Sequence, residues 1–157
     1  MARTVRRAKE SDIPAIMDLL KQVNLTHYTG RPDLFNLTTK YTEDELREIL
    51  NNGQTPVFVC VDEDERVLGH GFCILQRPDN TKLFKDILTL YIDDICVDEA
   101  ARGHHVGVAI YEHIIAYAKQ CGCYNVTLNV WSCNPGAVRF YEKLGLVPYK
   151  VGMEKLL

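Results

Sequence analysis

The densest chemistry in this sequence lies between Asp93 and Leu146. In Val97-Asp98-Glu99-Ala100-Ala101-Arg102-Gly103-His104-His105-Val106-Gly107-Val108-Ala109 an apolar run ends, an Arg-Gly loop follows, and a helical pattern begins. The first amides of a helix have no partner within it and carry partial positive charge. A loop that delivers the chain into such a start is therefore an anion site suited to phosphate. Gly103 and Gly107 would let the backbone approach a ligand, and Arg102 adds a fixed charge. The plainer reading is an ordinary glycine-containing strand-to-helix connection. Asn134-Pro135-Gly136-Ala137-Val138-Arg139-Phe140-Tyr141-Glu142-Lys143-Leu144-Gly145-Leu146 reads as an amphipathic helix with two adjacent aromatics. A phenol at an inward, partly wet position can donate a proton, although packing is the commoner use of a helical Tyr. Ahead of both segments stand Asp93 and Asp94. Strand alternation assigns Tyr91, Asp93, Ile95 and Val97 to one face and Asp94 to the other.

The elements that would position these groups follow from periodicity and punctuation. Thr4–Ala8 reads as a strand. Ser11 is placed to cap a helix with Ile13, Ile16, Met17, Leu20 and Val23 on one face, and a loop is expected over Thr26–Pro32. Thr42 and Glu45 form a capping box for a helix that Asn52-Gly53 ends. Pro56–Val61 and Arg66–Gln76 make a hairpin across the acidic turn Asp62–Glu65, and Leu88–Val97 is a further strand. A helix from Val106 carries Ala109, Ile110, His113, Ile114, Tyr117 and Cys121 as its apolar stripe. Asn125–Cys133 is the next strand, and Asn134-Pro135 opens a helix that Gly145 ends. Leu146–Leu157 reads as a closing strand. The order β-α-α-β-β-β-α-β-α-β predicts an α/β (α+β) fold, with a mixed, mostly antiparallel sheet of six to seven strands flanked by about four helices.

At 157 residues this is one domain's length, expected to span 1–157 without division. Lys plus Arg number 18 against 21 Asp plus Glu, a net charge of −3, without the basic excess of a broad nucleic-acid surface. No apolar run approaches the roughly 20 residues of a membrane span, and no signal core follows Met1, so no membrane partner is expected. The six cysteines mostly sit inside apolar runs, as in Phe58-Val59-Cys60-Val61, and read as packed thiols of a protein in the reducing cytoplasm. A metal site built from His104, His105, His113 and the cysteines lacks ligand spacing, so no metal is expected.

Taken together and in order, the two segments resemble the GNAT superfamily of acetyl-CoA-dependent N-acetyltransferases. The pyrophosphate loop of that family, Arg/Gln-x-x-Gly-x-Gly/Ala, is met by Arg102, Val106 and Gly107, with His105 in place of the middle glycine. The later pattern Asn-x-x-Ala-x-x-Phe-Tyr, then Gly and an apolar residue, is met by Asn134, Ala137, Phe140, Tyr141, Gly145 and Leu146, about 30 residues on. The resemblance covers nearly the whole chain, because the element order is also similar.

The resemblance implies a function: transfer of an acetyl group from acetyl-CoA, as co-substrate, to a primary amine by direct attack. It implies that Ile95, Cys96 and Val97 hold the cofactor arm by backbone pairing, with one of their amides near the thioester oxygen. The loop Arg102, Gly103, His104, His105, Val106, Gly107 and Val108 would hold the phosphates, with Asn134, Ala137, Tyr141 and Lys143 completing the cofactor site. The amide donors do not depend on the side chain at 105, so phosphate binding is expected to survive His105. Tyr141 would protonate the departing thiolate, Asp93 would be base or amine anchor, and Asp94 would be its substitute. The acceptor would meet His27, Tyr28, Asp33, Phe35 and Trp131, with Asp93 near its amine, and the acids favour a cationic amine such as a polyamine or a lysine side chain. A homodimer is a further expectation from the resemblance. A non-catalytic acyl-CoA sensor on the same fold is the competing reading, and it needs neither Tyr141 nor Asp93.

Overall fold

A computed structural model describes residues 2–157. Five strands form one sheet in the order β1-β2-β3-β4-β5: β1 Arg3–Arg7, β2 Val57–Asp62, β3 Val67–Gln76, β4 Thr89–Val97 and β5 Asn125–Leu128. Pairing is antiparallel from β1 to β4, and β5 joins β4 in parallel. The helices are α1 Ile13–Gly30, α2 Glu43–Leu50, α3 Val106–Gln120 and α4 Pro135–Lys143. The expected class, mixed sheet and four helices stand, with five strands in place of six to seven.

Each face of the sheet buries its own core. Ile16, Leu20 and Leu46 from α1 and α2 pack on Val57, Val59, Phe72 and Cys96. On the other face Ile110 and Ile114 of α3 pack on Cys60, Leu68, Leu90 and Ile92. The α3 contact is close because β3 carries glycine beneath it. A Cβ on Gly71 would lie 2.9 Å from both Ile110 and Ile114. The capping box of α2 forms as read, with Thr42 Oγ1 accepting from the Glu45 amide and Glu45 accepting from the Thr42 amide.

Three boundaries depart from the sequence reading. Asp12, rather than Ser11, precedes α1. Its buried carboxylate accepts from Arg6 at 2.7 and 3.0 Å and from the Lys9 amide at 2.9 Å. The helix then runs through the expected loop to Gly30, because Thr26-His27-Tyr28-Thr29 holds no breaker before the glycine and proline. Asn125–Cys133 is strand only to Leu128, and Leu146–Leu157 forms no strand. Period-2 patterning reports that a segment is fit to pair, and among the described residues neither 129–133 nor Leu146–Leu157 meets a partner strand.

Candidate active site

Strands β4 and β5 pair from Thr89↔Asn125 to Ile92↔Leu128 and then part. Beyond Ile92 the β4 edge that had faced β5 stands open through Val97, while its other edge stays paired to β3 as far as Gly69↔Val97. The parting leaves backbone N–H and C=O groups of Ile95, Cys96 and Val97 beside a cleft of about 600 Å³. An unpaired edge of this kind accepts an extended amide-bearing chain as a further strand.

The loop and helix at the end of β4 supply the second half of the cleft. Asp98 caps the short turn Glu99–Ala101 by accepting from the Ala100 amide at 3.0 Å. Gly103 at φ +84 and His105 at φ +59 then take left-handed conformations that turn the chain into α3. The first intrahelical bond runs from the Ala109 amide to the His105 carbonyl. The amides of Val106, Gly107 and Val108 are therefore directed outward from the helix start. Gly103 meets nothing within 4 Å of an added Cβ, so its conformation, not crowding, requires glycine. Gly107 is needed for packing: a Cβ there would come 3.1 Å from the Phe140 ring, with Val97 behind. The same glycine that borders the cleft therefore also seats α4 on α3. His105 is among the residue types that tolerate the left-handed region best, so the departure from glycine keeps the loop's path.

Of the expected cofactor residues, Ile95, Cys96, Val97, Arg102, Gly103, His105, Val106, Gly107, Val108, Asn134, Ala137 and Tyr141 all line this cleft. His104 and Lys143 do not. The His104 carbonyl accepts from Arg3, which ties the loop to β1, and Lys143 stands exposed at the end of α4. Gln22, Val23 and Thr26 of α1 join the lining. Thr26 fell in the expected loop, whereas Gln22 and Val23 fell in the expected helix, with Val23 read as part of its core face, and no local signal marked them for the cleft. Asn134 caps α4 by accepting from the Ala137 amide at 3.3 Å, so it holds the helix that carries Tyr141. Burial, and after it the charge of Asp94, holds the Tyr141 phenol well above its ordinary range and hence protonated.

The two acids share a face, contrary to the alternation argument. Phe72 pairs with Asp94 and Cys73 with Ile92, so Asp93 is the extra residue of a β-bulge. The bulge resets the period: Ile92 and Ile95 both pack toward α3, while Asp94 and Cys96 face α1. Asp93 Oδ2 accepts from Lys40 Nζ at 2.7 Å and from the Tyr41 hydroxyl at 3.0 Å. Desolvation works against the Lys40 ammonium, but the bond to Asp93 outweighs it and holds Lys40 above its ordinary range. Asp94 Oδ2 lies 2.9 Å from Nε2 of His70, which is completely buried. Burial, with Asp94 second, pushes the Cys96 thiol up to about 12, which leaves it neutral and unfit as a nucleophile.

Three of the expected acceptor-site residues come together beyond the cleft. His27 stacks on Phe35 at 5.1 Å between centroids, and Phe35 meets Trp131 edge-on at 5.3 Å. Gly30 lets α1 press against the loop after β5, since a Cβ there would lie 2.7 Å from Cys133 Sγ. Asp33 is bound in a two-pronged pair by Arg31, which also reaches Glu154, and Tyr28 makes no ring contact in this cluster. Among the described residues no group of three or more His, Cys, Asp or Glu is gathered as for a metal ion. No helix among them is long and apolar enough to cross a membrane.

The model of the acetyltransferase (GNAT) family matches residues 22–146, most of the chain. The chain belongs to the GNAT family. Glucosamine 6-phosphate N-acetyltransferase of Arabidopsis thaliana is 27% identical over 161 residues, covering 99% of this chain and 98% of that protein. Glucosamine 6-phosphate N-acetyltransferase 1 of Oryza sativa subsp. japonica is 36% identical over 63 residues, which span 40% of this chain and only 36% of the rice protein. Among solved structures, a tetramutant protein from Bacillus halodurans superposes with a TM-score of 0.93 at 30% identity, covering 98% of this chain and 99% of that one. The Arabidopsis enzyme's structure gives a TM-score of 0.73 at 23% identity over 99% of both chains, a likeness of fold. The open β4 edge and the left-handed turn into α3 are therefore features of a GNAT domain.

Proposed function

We propose that the chain is a single N-acetyltransferase domain that uses acetyl-CoA as co-substrate and acetylates a primary amine by direct attack within a ternary complex. One observation carries the reading. An open strand edge, a set of outward helix-start amides and a buried phenol meet around a single cleft. The edge at Ile95–Val97 fits an amide-bearing arm, the Val106–Val108 amides and Arg102 fit its phosphates, and Tyr141 sits where the two meet. The bound co-substrate supplies an activated acetyl thioester. An amide of the open edge is placed to donate to the thioester oxygen as it gains charge.

An incoming amine with a pKa near 10.4 must lose a proton at pH 7, at a cost of about 4 to 5 kcal/mol. Asp94 is the better-placed acceptor for that proton. It acts on Tyr141 electrostatically and its one bonded oxygen meets His70, whereas Asp93 is already paired with the Lys40 ammonium and bonded by the Tyr41 hydroxyl. Asp93 then serves to shape the amine end of the site. Tyr141, kept protonated, donates to the departing sulfur. Cys96 is neutral, which favours direct transfer over an acetylated cysteine.

His27, Phe35 and Trp131 form the acceptor side, an aromatic wall suited to the apolar face of a small amine. Several relatives are named for glucosamine 6-phosphate, so that amino sugar phosphate heads the test panel, with polyamines and lysine peptides beside it. The test is mass spectrometry of the amines after incubation with purified protein and acetyl-CoA. A +42 Da acetylated product from at least one primary amine is expected. Binding of acetyl-CoA without any acetylated amine would leave the sensor reading instead.

A further inference from the structure

Asp12 and His70 are the buried polar side chains among the described residues. Asp12 is accounted for by its bonds from Arg6 and the Lys9 amide. His70 needs another account, because an imidazole buried in a core brings polar atoms that must be satisfied there. Gly69 and Gly71 on either side of it face α3, where a Cβ on each would meet Ile110, so His70 faces α1. On that face its Nε2 lies 2.9 Å from Asp94 Oδ2, and its ring meets Phe72 edge to face at 4.8 Å between centroids. Nδ1 is buried and has no hydrogen-bond partner among the described residues. The neighbouring polar groups are committed elsewhere. Cys96, opposite His70 on β4, gives its thiol to the Leu19 carbonyl. Tyr41, whose ring packs on Phe72, gives its hydroxyl to Asp93.

This geometry selects the tautomer. A carboxylate accepts and cannot donate, so a proton on Nε2 makes the bond to Asp94 and leaves Nδ1 as a bare lone pair. A proton on Nδ1 would bury an unpaired donor and set the Nε2 lone pair against the carboxylate. Protons on both nitrogens would keep that unpaired donor and add a buried charge. The Asp94 side chain keeps 13% of its surface exposed and that of His70 none, so a proton arriving from the site meets Asp94 and goes no further. Asp94 has no hydrogen-bond partner but His70 among the described residues, which leaves Oδ1 unengaged.

We infer that His70 is a positioning residue for the acetyl transfer, a neutral imidazole protonated at Nε2 whose bond to Oδ2 holds Asp94 with Oδ1 as the oxygen that receives the amine's proton. The inference rests on the reading of Asp94 as that proton's acceptor. In the step assigned to the pair, an N–H bond of the acceptor's ammonium breaks and an O–H bond forms on Oδ1. The nitrogen keeps the electron pair with which it attacks the thioester carbon, and the Nε2–H bond is neither broken nor made. A histidine that only filled space would leave this transfer unaffected.

Two measurements on the full chain test it. The first is long-range proton–nitrogen NMR of the histidine rings at about pH 8, above the ordinary imidazole value. Of the five histidines, the one whose signals are missing from His70→Gln should show Nε2 protonated and Nδ1 bare. An Nδ1–H ring or an imidazolium there overturns the inference. The second is steady-state kinetics with acetyl-CoA and glucosamine 6-phosphate, replaced by a polyamine or lysine peptide if mass spectrometry finds that amine acetylated. His70→Leu fills the space without the donor and should lower kcat about 10²-fold, with the acetyl-CoA KM within about twofold of wild type. His70→Gln returns an N–H near the Nε2 position and should recover most of that loss. Asp94→Asn should also be slow, and adding His70→Leu to it should cost nothing more. A His70→Leu enzyme with wild-type kcat beside a slow Asp94→Asn overturns the inference alone. An Asp94→Asn enzyme with wild-type kcat overturns the reading of Asp94 and the inference with it. Equal losses in His70→Leu and His70→Gln, with lowered urea midpoints in both, mark a structural histidine and overturn it too.

Discussion

His105→Gly tests whether the loop binds phosphate through its backbone or through its side chains. His105 sits at φ +59, ψ +26, where a Cβ costs roughly 1 to 2 kcal/mol. Glycine removes that strain but loses about 0.5 to 1 kcal/mol through its freer unfolded chain. The net change in stability lies between zero and about 1.5 kcal/mol in favour of glycine. Unfolding entropy of about 2.1 cal/mol/K per residue over 157 residues gives about 0.33 kcal/mol/K, so the midpoint should rise by no more than about 5 °C. Acetyl-CoA at 100 times its Kd adds about 2.7 kcal/mol, or about 8 °C, to the wild type. If the Val106–Val108 amides hold the phosphates, that ligand-induced shift survives in His105→Gly and in His105→Ala. An imidazole bonded to phosphate would be worth at least about 1.5 kcal/mol. Losing it would weaken binding more than tenfold and cut the shift at the same acetyl-CoA concentration to about 4 °C or less. Differential scanning fluorimetry on the three proteins decides. A halved shift in both variants refutes the backbone argument, and no shift in the wild type refutes the phosphate site itself.

Tyr141→Phe removes the phenol donor while keeping the ring, so kcat should fall by about 10² to 10⁴ and the acetyl-CoA-induced midpoint shift should stay. A variant with wild-type kcat would take Tyr141 out of the reaction. Gly71→Ala places a Cβ 2.9 Å from Ile110 and Ile114, and should cost about 1 to 3 kcal/mol in urea denaturation; an unchanged midpoint would show that α3 can lift without loss. Asp12 is desolvated, but its bonds from Arg6 and the Lys9 amide outweigh burial and hold its pKa below the ordinary value. The stability it contributes is therefore present above about pH 4 and is lost as pH falls through the folded-state value. Asp12→Asn should accordingly lose about 1 to 3 kcal/mol at pH 6, with a narrower gap from wild type at pH 3. An equal gap at both pH values would contradict that linkage.

How much of this was legible depended on whether a residue's role is set by its neighbours in sequence or by its neighbours across the sheet. The Arg102–Val108 loop and the Asn134–Gly145 helix are local devices, made of a turn, a helix start and a cap, and each lies where its residues predict. The acids were misplaced because a bulge is a property of a pair of strands. Nothing in Tyr91-Ile92-Asp93-Asp94-Ile95 alone announces that Asp93 will have no opposite number on β3. Alternation counted from either end is right as far as the bulge and wrong by one residue beyond it. That single extra residue puts both carboxylates on the α1 face, one held by Lys40 and Tyr41 and the other by His70. The same reasoning explains why Leu146–Leu157 forms no strand. Its pattern is written in the sequence, but a strand exists only with a partner, and β5 and the C-terminal segment do not meet within one chain.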